Sequence, residues 1–155
     1  MKEDKYLKQA GVAEITLSYK PALNLIRQPR ISTSADAFTV FRDKWDADQI
    51  DFVEQFKIML LTRANNVIGI VEISKGSVTG TVADPKIILA AAIKSNACSI
   101  ILCHNHPSGN LQPSKADEEI TRKIKEAAKF FDLSVVDHLI ISTTAYFSFA
   151  EAGLY

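Results

Sequence analysis

An α/β fold with a central mixed β-sheet flanked by helices is predicted by two features of this chain. Short apolar runs suited to buried strands alternate with segments whose apolar residues recur at helical spacing, the order expected when helices cover a sheet. A length of 155 residues with 47% hydrophobic side chains is enough for one real core and too short for two comfortable ones. Residues 1–30 are expected to form an N-terminal extension with one strand, and residues 31–155 the domain itself.

The extension starts with a charged Met1-Lys2-Glu3-Asp4-Lys5-Tyr6 segment, continues into a strand near 13–19, and enters a connector over 20–33 punctuated by Pro21 and Pro29. Ser34 is placed to cap a helix with Ala37, Phe38, Phe41 and Trp45 on its apolar side. Strands are expected over 53–62 and 67–74, joined by an Asn65-Asn66 turn that tolerates left-handed backbone. Asp84-Pro85 supplies a cap and an N1 proline for a helix to about residue 96, rich in Ala and Ile and therefore expected to be buried. Ser99-Ile100-Ile101-Leu102-Cys103 reads as a buried strand. After it, Pro107-Ser108-Gly109-Asn110 and Gln112-Pro113 carry turn chemistry, with Gly109 or Asn110 able to take positive φ. Ser114 then precedes a helix over 115–131 with Ile120, Ile124, Ala127, Ala128 and Phe131 at helical spacing, and strands near 133–142 and 146–150 complete the order.

The chemistry is concentrated between residues 104 and 117. His104-Asn105-His106-Pro107 is followed six residues later by Ser114 and then by Asp117. Side chains at i and i+2 leave a strand end on the same face, so both imidazoles point one way. Asp117 lies in the first turn of the next helix, where the loop folds it back toward the strand end. Two neutral imidazoles and one carboxylate are a natural three-ligand set for Zn²⁺, with a fourth position left for water, as in catalytic zinc sites. Ser114 and Asp117 also form a capping-box arrangement that would look the same in a helix that binds nothing.

The run Cys103-His104-Asn105-His106-Pro107-Ser108-Gly109-Asn110, with Pro113-Ser114 and Asp117, resembles the RadC branch of the JAMM (MPN-type) metalloprotein family. Its pattern is His-x-His-Pro, six residues, Ser, two residues, Asp, and every position matches. Leu60-Leu61-Thr62-Arg63-Ala64-Asn65, the segment 76–81, Asp84-Pro85, Asp137-His138-Leu139-Ile140 and Tyr146-Phe147-Ser148-Phe149-Ala150 extend the similarity from about residue 30 to the end. The helix-hairpin-helix DNA-binding segment at the start of full-length members has no counterpart in this sequence. What the resemblance implies is a JAMM-like three-layer fold, a zinc-dependent hydrolase in which His104, His106 and Asp117 hold the metal, an upstream glutamate that activates the water, and a serine, here Ser114, that stabilises an oxyanion.

Glu54 is the first choice for that glutamate. In Phe52-Val53-Glu54-Gln55-Phe56-Lys57-Ile58-Met59-Leu60 it interrupts an apolar alternation, and burial there would raise its pKa into a range useful for proton transfer. Glu72, near the end of the next strand, is the rival. Ser114 sits at a helix N-terminus, where donation to an oxyanion and a plain capping role are both open. Asp137 and His138 point to opposite faces of one strand, with a supporting role near the site for one of them. These parts suit hydrolysis of a peptide or isopeptide bond.

Eighteen basic and eighteen acidic residues cancel, which argues against strongly electrostatic binding to nucleic acid. The basic residues of the 115–131 helix are interleaved with Glu118, Glu119 and Glu126, the pattern of a solvated face. Cys98 and Cys103 are five residues apart, roughly 16 Å along an extended strand against a disulfide reach near 7 Å, so both are expected to be reduced. Cys103 faces away from the imidazoles. There is no apolar signal-peptide core at the start and no run of membrane-spanning length, and cytoplasm is the expected compartment. A DNA-repair or mobile-element accessory protein without proteolysis is the alternative that the RadC resemblance brings with it.

Overall fold

In a computed structural model the described residues are 28–76 and 83–154, together with Gly11. The strand expected over 13–19, the first part of the connector and most of the segment 76–81 lie outside them. The elements are α1 (Ser34–Asp43), β1 (Gln55–Leu61), β2 (Val67–Lys75), α2 (Pro85–Lys94), β3 (Ser99–Asn105), α3 (Lys115–Lys129), β4 (Ser134–Ile141) and β5 (Tyr146–Ser148). The strands form one sheet in the order β2-β1-β3-β4-β5. β1 is antiparallel to both β2 and β3, β3 is parallel to β4, and β4 is antiparallel to β5, so the sheet is mixed as expected. Parallel neighbours need a long crossover, and the loop after β3 together with α3 supplies it.

Every residue of β1 and β3 is buried, which explains why their sequences read as apolar runs. On one face Met59, Leu61, Ile101, Cys103, Leu139 and Ile141 pack with Ala37 and Phe41 of α1 and with Trp45 and Ile50. On the other, Ile58, Leu60, Ile100 and Leu102 pack with Ile88 and Ala92 of α2 and Ile124 and Ala128 of α3. The result is three layers, with α1 on one side and α2 and α3 on the other.

Several local expectations shift. Thr33, not Ser34, is the N-cap of α1: its hydroxyl accepts from the Asp36 amide at 3.1 Å while the Asp36 carboxylate accepts from the Thr33 amide at 2.9 Å. Ser34 becomes the first helical residue and donates its hydroxyl to Asp137 Oδ2 at 2.7 Å. Asp84 and Pro85 start α2 as expected, but the helix ends at Lys94 and only one stripe is covered, with Ile87 and Ile93 each 49% exposed. Asn65 takes the left-handed conformation at φ 60° in the β1–β2 turn, and Gly109 does so at φ 75°.

The entry to β1 differs most from expectation. The strand begins at Gln55, and Phe52 lies in a preceding turn, 66% exposed, so Glu54 does not interrupt an apolar strand face. What fixes this entry is Asn105, fully buried at the end of β3. Its Nδ2 donates to the carbonyls of Ile50 at 2.6 Å and Val53 at 2.9 Å, and its Oδ1 accepts from the Gln55 amide at 2.8 Å. Glu54 therefore sits between two residues whose backbones are pinned by one side chain from β3. Asn105→Ala strands these buried groups, each worth about 1–3 kcal/mol when unpaired, so a loss of about 2–4 kcal/mol is expected in urea unfolding. A loss below about 0.5 kcal/mol, the range of a neutral surface substitution, would show that the clamp is unimportant.

Candidate metal centre

The site is assembled where β3 ends and α3 begins. His104 lies within β3, opposite Phe56 of β1 and Ile140 of β4, with its ring stacked on Phe56 at 5.9 Å between centroids. His106 follows the strand by one residue, and its backbone N–H donates to the Ile141 carbonyl at 3.3 Å. The Gly109 turn then brings the Asn110 carbonyl to 2.5 Å from His106 Nδ1. At α3, Ser114 is the N-cap and Asp117 completes a capping box: the Asp117 amide donates to Ser114 Oγ at 3.2 Å, and Asp117 Oδ2 accepts from the Ser114 amide and hydroxyl, both at 2.7 Å. The capping box and the candidate ligand set therefore share one residue, Asp117.

Three donors converge there. His104 Nε2 is 3.0 Å from His106 Nε2 and 3.2 Å from Asp117 Oδ1, and His106 Nε2 is 3.9 Å from Asp117 Oδ2. Ligands about 2.0–2.1 Å from a tetrahedral zinc are about 3.3 Å from one another, so the observed edges bracket that value. The electronics agree with the spacing. A carbonyl only accepts, so a neutral His106 carries its proton on Nδ1 and turns the Nε2 lone pair inward. Burial pushes the Asp117 carboxyl up, but His104 and the two Ser114 donors outweigh it and hold the group well below the usual carboxylate range. The residues present therefore fit a zinc ion. Cys103 is buried among the residues of the opposite face, its thiol pushed up by that burial, and Cys98 is exposed; both are free thiols.

Glu54 is brought to the site. It is half-buried rather than buried, and it lines a cavity of about 210 Å³ with Phe56, His104, Asp117 and Ile120. Glu72 is not: its carboxylate is exposed and engaged with Gln55 Nε2 at 3.2 Å and Lys57 Nζ at 3.7 Å, where Lys57 lies over the Trp45 ring. Asp137 and His138 do point to opposite faces. Asp137 collects the hydroxyls of Ser34 and Ser148, each at 2.7 Å, and the amides of His138 and Ala150, a clasp that ties α1 and β5 to β4. His138 is fully buried, with Nε2 2.9 Å from His104 Nδ1 and its ring stacked on Phe149.

Residues 31–154 match the RadC-like JAB domain family. The chain belongs to that family. This RadC-like domain is 38% identical over 134 residues to a UPF0758 protein of Flavobacterium johnsoniae, an alignment covering 86% of the chain and 57% of the relative. It is 34% identical to a UPF0758 protein of Pelobacter propionicus, covering 99% of the chain and 69% of the relative, and 32% identical to one of Shewanella baltica, covering 96% and 64%. The chain spans about half the length of several of the curated relatives it matches.

Sequence reasoning gives no role to two residues of the RadC-like site, Asn105 and Thr121, and leaves that of a third, His138, open. Asn105 lies on the opposite strand face from the histidines, and only its long-range partners give it a role. Thr121 stands four residues after Asp117 on α3, a spacing visible in the sequence, with its hydroxyl 2.5 Å from His138 Nδ1. His138 is singled out together with Asp137 through the family resemblance, and its contacts with His104 and Thr121 are what the structure adds.

Acid is expected to destabilise the metal-free domain, first through His138. Burial, with His104 next, holds this ring well below its ordinary value of 6.5, against a raising influence from Asp117. Below about pH 6.5 the unfolded chain takes up a proton that the folded ring refuses, so stability falls with pH. Asp117, depressed in the fold, adds a loss at lower pH, once the carboxylate begins to protonate. The thermal unfolding midpoint should drop between pH 7 and pH 5, and His138→Gln should flatten that slope; an equal slope in the variant would contradict the assignment.

Proposed function

We propose that this RadC-like domain is a zinc-dependent hydrolase of amide bonds, of peptidase or isopeptidase type. The observation that carries the reading is the convergence of His104 Nε2, His106 Nε2 and the Asp117 carboxylate within 4.8 Å, with Glu54 lining the adjoining cavity. Zinc bound there would polarise the scissile carbonyl and acidify water, bringing hydroxide within reach at neutral pH.

The side chains handle the protons. Glu54 faces the same cavity as His104 and Asp117, and its carboxylate takes the proton released as water oxygen bonds to the carbonyl carbon. It then returns that proton to the amide nitrogen as the C–N bond breaks, leaving a carboxylic acid and an amine. The Asn105 clamp holds the Glu54 backbone in place during both transfers, so the base does not have to be ordered at the moment of reaction. The Ser114 hydroxyl donates to Asp117 in the resting arrangement and turns from that carboxylate toward the oxyanion as charge develops.

Cytoplasm is the proposed location: Cys98 and Cys103 are free thiols, and no helix among the described residues is long and apolar enough to cross a membrane. The DNA-repair or mobile-element reading draws support from family resemblance alone, and the balanced charge favours the hydrolase.

Elemental analysis of protein purified without chelator should give about one zinc per chain, abolished in the His104→Ala/His106→Ala double variant. Glu54→Gln should keep the zinc and lose at least about 100-fold of the hydrolysis found by screening peptide and isopeptide libraries. Folded wild-type protein that takes up no zinc, or a Glu54→Gln variant at the wild-type rate, would overturn the reading.

A further inference from the structure

We propose that Thr121 and His138 are positioning residues of the metal centre, which set the proton on His104 and join it to Asp117 through one continuous hydrogen-bonded chain. The inference rests on the metal-binding reading above, but the proton order it assigns follows from this chain's own geometry.

Thr121 Oγ1 lies 2.5 Å from the Asp117 backbone carbonyl and 2.5 Å from His138 Nδ1. A carbonyl oxygen only accepts, and a hydroxyl has a single proton to give. That proton goes to the Asp117 carbonyl, so Thr121 Oγ1 accepts from His138, and the His138 proton resides on Nδ1. Its Nε2 is then a lone pair, 2.9 Å from His104 Nδ1. His104 must supply the proton of that bond from Nδ1, which leaves the His104 Nε2 lone pair facing His106 and Asp117. One hydroxyl thus determines the tautomer of two rings.

The burial makes this order rigid. His138 is 0%, His104 1% and Thr121 3% exposed, so solvent does not exchange for any member of the chain. The chain crosses β3, β4 and α3, begins on the ring of one ligand and ends on the backbone of another. The opposite order would place a proton on His104 Nε2, aimed at Asp117, and would remove that nitrogen from any metal. It would also take the Thr121 proton away from the Asp117 carbonyl.

Two measurements decide it. Two-bond ¹H–¹⁵N spectra resolve ring tautomers, and the chain has only three histidines to assign. His138 is expected to be protonated on Nδ1 in both metal-free and zinc-loaded protein, with His104 protonated on Nδ1 in the latter; His138 protonated on Nε2 would overturn the proposal. In competition with a chromogenic chelator, Thr121→Val should bind zinc about 10–100-fold more weakly than wild type, and Thr121→Ser should return to within about threefold. A Val variant that binds as tightly as wild type, or a Ser variant as weak as Val, would overturn it too. Should Thr121→Val fail to fold, the wild-type ring spectra still decide. Wild-type protein that takes up no zinc would instead sink the proposed function, while the metal-free ring spectrum would still test the proton order.

Discussion

Three groups rich in lone pairs, His104 Nε2, His106 Nε2 and the Asp117 carboxylate, face one another across 3.0–3.9 Å. Left alone they repel, and a cation between them would relieve that repulsion. The rest of the local structure keeps them in that arrangement. The Asn110 carbonyl occupies the outer nitrogen of His106, His138 occupies that of His104, and Ser114 binds Asp117 from behind. A metal site of this kind is set as much by what holds the ligands as by the ligands themselves.

The scaffold supplies these contacts from a small part of the chain. β3 is the middle strand of the sheet and is buried on both faces, so its C-terminal end is among the most enclosed points of the fold. That end carries alternating roles: His104 toward the α2/α3 layer, Asn105 toward the α1 layer, and His106 beyond the last pair. Strand alternation separates the candidate ligand His104 from the Asn105 clamp, yet the clamp fixes the backbone on either side of Glu54, which lines the same cavity as His104. The capping box of α3 works likewise, since the carboxylate that terminates the helix is also the third donor.

Much of this is legible in the amino-acid sequence itself. The i, i+2 rule at a strand end placed the two imidazoles together, and Ser114 with Asp117 three residues on announced both a helix start and a carboxylate near it. Glu54 lines the same cavity as His104 and Asp117, but not as a break in an apolar strand face: β1 begins later than the apolar pattern suggests, and Phe52 belongs to a turn. The Asn105 bonds that fix the backbone on either side of Glu54 span 50 to 55 residues of sequence and leave no periodic trace. The same holds for the Ser34–Asp137–Ser148 clasp, while the α1 cap is Thr33 because Asp36 completes a capping box with it. The exposure of Ile87 and Ile93 shows the limit of composition, which states that a helix is apolar without stating which of its faces is covered.

The central claim is that these two rings and one carboxylate grip a single cation, and X-ray absorption at the zinc edge of the loaded protein tests it most directly. A four-coordinate shell of nitrogen and oxygen at about 2.0–2.1 Å, with the outer scattering of two imidazoles, is the expected result. A sulfur shell near 2.3 Å, or a shell of oxygens without imidazole, would mean that the metal is held elsewhere and would contradict the assignment.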